Sequence, residues 1–216
     1  MELLANDPEA PTSVTVPSET VDAHVADSLA VLPVLTDRKR PDSIADVGSG
    51  AGFPGLPLAI AFPDSDVDLI ESTGRKCRFL ERAIAELGLG NAHVVCARAE
   101  DWARGDGAER YELVVVRAVA PLATLVEYAS PLLRARGLLI AWKGARDQAE
   151  EDQAASAAQT LGMSHPIVYP VAPFPHARHR HLHVFEKTGS TPAGIPRSPG
   201  MAHKRPLGRE SSVPND

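Results

Sequence analysis

The sequence lacks several things, and each gap removes a class of protein. Its 216 residues hold only two cysteines, Cys77 and Cys96. That excludes a disulfide scaffold and fits a reducing compartment. No apolar run approaches the roughly 18 residues of a membrane helix. The first 17 residues carry Glu2, Asp7 and Glu9 with no basic start and no apolar core, so they do not read as a secretory signal. There is no G-x-x-x-x-G-K-S/T loop for phosphate chemistry, no G-x-S-x-G elbow and no C-x-x-C pair. No internal repeat is present. What remains is 44% hydrophobic and 23% charged, the composition of an ordinary globular protein expected in the cytoplasm. At this length one domain buries roughly 70% of its unfolded surface and needs no staple.

The formal net charge of -6 is unevenly spread. From Pro170 to Asp216 there are seven Lys/Arg against three Asp/Glu, +4, which leaves -10 on the preceding residues. An acidic body with a basic end is not a general nucleic-acid binder, though local patches remain open to it.

The pattern divides the chain into a loose N-terminus (1–17), a folded domain with an N-terminal helix (18–187) and a basic tail (188–216) expected to be disordered alone. Ser18 suits a helix cap, and Val21, Val25, Leu29 and Leu32 recur at helical spacing before Pro33 closes the helix. Strands are expected at 43–47, 67–70, 92–96, 113–116 and 138–142. Helices are expected between them at 54–61, 73–87, 121–133 and 147–161. Such alternation argues a doubly wound, mostly parallel sheet with helices on both faces. After Gly162 two strands, 166–169 and 182–185, follow with no helix between, which predicts a C-terminal antiparallel hairpin.

The strongest local signal is Asp46-Val-Gly48-Ser-Gly50-Ala-Gly52-Phe53-Pro54-Gly55, directly after the first strand. Glycines there let the backbone turn sharply and approach a ligand. Gly50, Gly52 and Gly55 formally match the dinucleotide fingerprint, but the match starts late and Pro54 removes a donor. Glu71 ends the second strand, where a carboxylate can bind both hydroxyls of a ribose, in NAD or S-adenosylmethionine equally. The bland alternative for Glu71 is a charge at the start of the next helix. After the third strand, Glu100 or adjacent backbone can accept from an adenine amino group, or Glu100 can simply cap a helix. Arg117 and Lys143 end the fourth and fifth strands and converge on the same rim. His176, His179, His181 and His183 form a run with no carboxylate or thiol close in sequence, so no metal is expected and a solvated strand face is the plainer reading.

These residues resemble the ribosomal RNA small subunit methyltransferase G family, also called the glucose-inhibited division protein B family. The resemblance rests on His24-Val-Ala-Asp27-Ser28-Leu29, the glycine loop continued through Leu56-Pro57-Leu58, Lys76 with Phe79-Leu80, Arg98-Ala99-Glu100, Arg117-Ala118, Lys143-Gly144, Ile195-Pro-Arg-Ser-Pro-Gly200 and Lys204-Arg-Pro-Leu207. It implies a class I methyltransferase fold, Rossmann-like, using S-adenosyl-L-methionine to methylate N7 of one guanine in 16S rRNA of the small ribosomal subunit. Carried over by motif, the cofactor contacts are Gly48, Phe53, Ala99, Glu100 and Arg117, beside Gly50 and Glu71. Arg117, Lys143, Arg197, Lys204 and Arg205 are expected to position RNA. Arg197-Ser198 stands where two adjacent basic residues are expected. Guanine N7 carries an in-plane lone pair and no proton at neutral pH, so no catalytic acid or base is expected. A monomer is expected, with no membrane association. Three other readings stay open on the residues: a methyltransferase for a small molecule or protein, a non-catalytic S-adenosylmethionine-binding module, and a dinucleotide oxidoreductase.

Overall fold

The computed structural model describes residues 21–117 and 119–209. Expectations for 1–17, Ser18, Ala118 and the last seven residues lie outside the described residues. A seven-stranded sheet runs β3-β2-β1-β4-β5-β7-β6. Its strands are β1 (Ser43–Val47), β2 (Asp66–Glu71), β3 (Ala92–Cys96), β4 (Tyr111–Arg117), β5 (Leu133–Lys143), β6 (Ile167–Val171) and β7 (Arg180–Glu186). The connecting helices are α1 (Gly55–Ala61), α2 (Gly74–Leu87), α3 (Ala99–Trp102), α4 (Leu122–Ala129) and α5 (Gln148–Thr160), and α6 (Met201–Lys204) lies in the tail. β1 to β5 pair in parallel, while β7 is antiparallel to both β5 and β6. The mostly parallel α/β sheet and the antiparallel terminal hairpin are as the residue pattern predicts.

Alternation along the central strands fills two cores. Ala45, Val47, Val114, Val116, Leu139 and Ala141 face α4 and α5. Ile44, Leu113, Val115 and Ile140 face α1, α2 and the N-terminal helices. Both faces are apolar because helices cover both.

The N-terminal helix differs in detail from expectation. Val21–Ala26 is π-helical and runs into an α-turn, Asp27–Leu29. Pro33 does not end the helix; it sits in the first turn of Leu32–Leu35, where its missing N–H has no partner to lose. The helix after β4 ends early, at Ala129, and β5 is longer than expected because Leu133 pairs with Tyr111 before a register shift. Cys77 and Cys96, which fit a reducing compartment in the sequence, are joined as a disulfide between α2 and the end of β3, with Cα atoms 5.8 Å apart. Among the described residues no helix is long and apolar enough to cross a membrane.

The larger correction concerns the tail. Residues 188–209, expected to be disordered, lie across α3, α4 and α5. Ala202 is 1% exposed, and Ile195 and Leu207 pack on the core. Lys187 starts the seat: its ammonium donates to the Ser130 carbonyl at 2.7 Å, to the Ser130 hydroxyl at 2.8 Å and to Thr191. Burial lowers its pKa to about 8. Arg197 then forks onto Glu127 at 2.6 and 2.5 Å, and Thr124 donates to the Ala202 carbonyl at 3.1 Å. Glu127 is 2% exposed, and a buried carboxylate needs a cation. The tail has no periodic pattern because it docks through single side chains rather than a helical face.

Replacing Arg197 strands that carboxylate. Arg197→Ala is expected to lower stability by about 3 kcal/mol. Trypsin should then cut after Lys204 roughly tenfold faster or more, because local opening exposes the segment. Unchanged cleavage would show that Arg197 does not hold the tail.

Candidate active site

The chain leaves β1 and β4 toward opposite halves of the sheet, so the crevice at their carboxyl ends is the topological switch point. The glycine loop fills the β1 side. Gly48 and Gly50 sit at φ +73° and +57°, a region other residues avoid. The Gly48 and Ser49 amides donate to the Ile70 carbonyl at 2.8 and 3.2 Å, fixing the loop to β2. Beneath it lies Asp46, 1% exposed. Its Oδ2 accepts the Gly55 amide at 2.9 Å, and its Oδ1 is buried without a partner among the described residues. Burial raises its pKa to about 7.

Glu71, 5% exposed, closes the β2 side. One oxygen accepts the Thr73 amide at 2.9 Å; the other accepts the Gly50 amide at 3.2 Å and lies 3.6 Å from Lys76 Nζ. A small cavity of about 90 Å³ is lined by Gly48, Glu71, Arg98, Ala99, Glu100 and Val119, among others. Four expected cofactor residues, Gly48, Glu71, Ala99 and Glu100, therefore share one wall, and Gly50 bonds the same Glu71. Glu100 is not a simple helix cap. It is 6% exposed, and its Oε1 accepts the Gly200 amide from the tail at 2.8 Å.

These groups fit a nucleoside. Glu71 offers a nearly buried carboxylate to vicinal hydroxyls. Gly48 leaves room because it has no Cβ, which would otherwise meet Val119. Asp46 Oδ1 is buried without a partner among the described residues, and with Oδ2 taken by the Gly55 amide it is the oxygen that carries the proton at acid pH.

The opposite wall is cationic. Arg117, at the end of β4, donates to Asp27 Oδ2 at 3.1 Å and faces His24 Nδ1 at 3.1 Å. Its guanidinium lies 5.5 Å over the Phe53 ring, and His24 stacks on Phe53 with centroids 4.7 Å apart. Burial, then Arg117, lowers the His24 pKa, so the neutral ring accepts from the guanidinium. The Trp142 indole donates to the Asp27 carbonyl at 2.8 Å, and Arg180 Nε lies 3.7 Å from Asp27 Oδ1. Phe53 and Arg117 thus stand together on the rim, away from the small cavity. Asp27 and His24 were missed as site residues: the sequence shows them only as a motif. Their three-residue spacing on a helix was the available signal, but the arginine they hold lies 90 residues on.

Two cations expected to meet RNA are engaged elsewhere. Lys143 donates to Glu150 at 2.7 Å, and Arg197 is bound to Glu127. Both are partly buried, and a cation out of water takes an anion where one is near. Lys204 and Arg205 are exposed. The histidine run also separates. His183 is 1% exposed and lies 3.0 Å from Glu151, whose pKa Arg146 above all holds down to about 2. His181 bonds the Gly144 carbonyl at 2.8 Å. Among the described residues no group of His, Cys, Asp and Glu could hold a metal ion.

Residues 3–182 match the family model for rRNA small subunit methyltransferase G (GidB). The protein named ribosomal RNA small subunit methyltransferase G from Desulfitobacterium hafniense is 41% identical over 197 residues, 91% of this chain and 81% of that one. The protein of that name from Roseiflexus castenholzii is 44% identical over 91% of this chain and 83% of its own. Among solved structures, an S-adenosylmethionine-dependent O-methyltransferase from Thermotoga maritima superposes with a TM-score of 0.58 at 14% identity, covering 84% of this chain and 69% of that one. So does Burkholderia thailandensis 1,6-didemethyltoxoflavin-N1-methyltransferase, crystallised with S-adenosylhomocysteine, at 0.58 and 17% identity over 87% and 88%. Those two likenesses show the fold.

Asp46 gives a test of the site's electrostatics. Unfolded, it ionises near 3.8; folded, only near 7. The folded state therefore keeps a proton the unfolded state has lost, and stability falls as pH rises from about 4 to about 7 and levels above. Asp46→Asn keeps the acceptor for Gly55 and has nothing to titrate. Relative to that variant, wild type should lose at most about 1.4 kcal/mol per pH unit across the window. Urea titrations at pH 5 and pH 7 read this directly, and parallel behaviour of the two proteins refutes a protonated Asp46.

Proposed function

The chain belongs to the rRNA small subunit methyltransferase G family, and from that premise we propose that it methylates N7 of one guanine in 16S rRNA, using S-adenosyl-L-methionine. We propose further that it acts as a cytoplasmic monomer on the small ribosomal subunit rather than on free RNA. The observation that carries the reading is the division of one cleft into an acidic wall and a cationic wall. Asp46, Glu71 and Glu100 are all nearly buried on one side, and Arg117 is held on the other.

On this reading the residues sort into roles. Glu71 takes the ribose hydroxyls, Ala99 and Glu100 take the adenine edge, and Gly48 and Gly50 let the backbone lie against the cofactor. When bound, S-adenosylmethionine supplies a sulfonium methyl. Asp46, sealed beneath the loop, holds the Gly55 amide and so the shape of the glycine loop. Phe53, with His24 stacked on it, shapes the rim where the two ligands meet. Arg117, fixed by Asp27, orients the RNA, with Lys204 and Arg205 exposed as further contacts. Guanine N7 attacks with its own lone pair and releases no proton, so no side chain has to titrate. Alignment supplies the rate.

The test is transfer of labelled methyl from S-adenosylmethionine to small subunits lacking the modification, with naked 16S RNA in parallel. Label at a guanine N7, made faster by the assembled particle, is the expected result. Intact cofactor binding without label would sink the RNA reading. Glu71→Ala should raise the cofactor Kd roughly tenfold or more, because two ribose hydroxyls lose a charged partner. An unchanged Kd would remove Glu71 from the site.

A further inference from the structure

The hairpin between β6 and β7 carries exposed positive charge. No Asp or Glu occurs between Asp152 and Glu186 in a chain of net charge -6. Within that acid-free stretch lies Pro173-Phe-Pro-His176-Ala-Arg178-His179-Arg180. Arg178, His176 and His179 are exposed, and none of the three has a hydrogen-bond or ion-pair partner among the described residues.

The register decides where this loop sits. His181 pairs with Lys143, at the carboxyl end of β5, and Val171 pairs with Arg180. The loop therefore projects from the same rim as the glycine loop and Arg117. His181 ties its root to the Gly144 carbonyl at 2.8 Å. Arg180 lies 3.7 Å from the Asp27 carboxylate that holds Arg117 at 3.1 Å. One carboxylate thus joins the loop's root to the cationic wall of the cleft. Beside the loop runs a groove of about 640 Å³ with largely apolar walls, lined by Ala26, Leu29, Pro33, Tyr169, Pro170 and Pro173 among others. Tyr169 is 37% exposed in it.

We propose that this loop and groove form a docking surface for single-stranded rRNA next to the target guanine. The inference rests on the reading that the substrate is RNA. Arg178 takes a backbone phosphate, while Arg180 extends the cationic track from Arg117. The groove receives an unstacked base against Tyr169. Cations at the mouth of an apolar groove with an aromatic wall are what splayed-out RNA requires, since its bases need a π-face or apolar surface and its phosphates need charge. The exposed positions of Arg178, His176 and His179 follow as well. Unlike Lys143 and Arg197, they have no internal carboxylate to meet.

The experiment compares wild type, Arg178→Ala, Arg178→Glu, Arg178→Lys and Tyr169→Ala, each first shown to bind S-adenosylmethionine with wild-type Kd. Methyl transfer to small subunits is then measured over a salt series. Arg178→Ala should raise KM about 3- to 10-fold with kcat within twofold, and the slope of log affinity against log salt should fall by about 0.7 to 0.9. Arg178→Glu should be worse, and Arg178→Lys close to wild type. Tyr169→Ala should raise KM with the salt slope unchanged, because stacking releases no counterions. If Arg178→Glu matches wild type in KM and salt slope while wild type methylates the particle, the loop is not an RNA contact and this proposal fails alone. If wild type binds cofactor but methylates no RNA, the functional reading fails and takes the proposal with it. If Arg178→Glu matters but Tyr169→Ala does not, the groove is covered by something other than RNA and that half of the proposal is overturned.

Discussion

A single methyl group would not fit at Gly55, and much of the site depends on that. A Cβ there would meet the Leu69 side chain of β2 and the carboxylate of Asp46. The tightness brings the Gly55 amide to 2.9 Å from Asp46 and seals the carboxylate from water. Sealing leaves one oxygen without a partner and pushes the pKa to about 7. The same packing draws the loop onto β2, where Gly48 and Ser49 bond the Ile70 carbonyl and Gly50 reaches Glu71. A loop set this way presents Phe53 to His24 and Arg117. Close packing at one residue is thus transmitted to both walls of the cleft, because interiors at this density shift as discrete units rather than deform smoothly.

Three partly buried cations each meet a carboxylate, Glu127 for Arg197, Glu150 for Lys143 and Asp27 for Arg117, whereas buried Lys187 is held by neutral oxygens of Ser130 and Thr191. The first pair stitches the tail to α4, and the last fixes the Arg117 guanidinium at the rim of the cleft. Their residue types are alike, and position alone decides what each one fastens. Glu100 combines both, facing the small cavity with Ala99 while its Oε1 accepts the Gly200 amide. The wall of the small cavity and the tail are therefore in direct contact.

Much of the sheet was legible because its signals are local. β1 and β3 were expected at their observed bounds, since a buried parallel strand is a short apolar run flanked by turn residues. The glycine loop and Glu71 were legible for the same reason, a motif at a strand end. The tail was not. Its order rests on contacts such as Arg197 to Glu127, 70 residues apart, and Gly200 to Glu100, 100 apart, which leave no periodic trace. The roles of Asp27 and His24 were hidden likewise: the sequence shows two polar residues on a helix, and only the fold brings Arg117 to them. The histidine run misled in a subtler way. As residues of β7, His181 and His183 share a face at period two, yet one bonds a backbone carbonyl at the rim and the other is buried against Glu151.

A protein of net charge -6 that handles a polyanion has to keep its charges apart. S-adenosylmethionine carries a sulfonium and an ammonium against one carboxylate, so an acidic wall suits it. RNA needs the reverse. The doubly wound sheet separates the two by topology. The acidic residues end or follow β1, β2 and β3, to one side of the switch point. Arg117 ends β4, and Arg180 begins β7, to the other. The order β3-β2-β1-β4-β5-β7-β6 therefore places anions and cations on opposite halves of one rim. Turning β7 antiparallel adds to this, because it brings the start of that strand, with the basic loop before it, to the rim where β4 and β5 end. A parallel last strand in the same place would have started at the opposite rim of the sheet, where β4 and β5 begin, and left Arg178 and Arg180 there. The antiparallel hairpin is thus part of the site's electrostatics as well as of its topology.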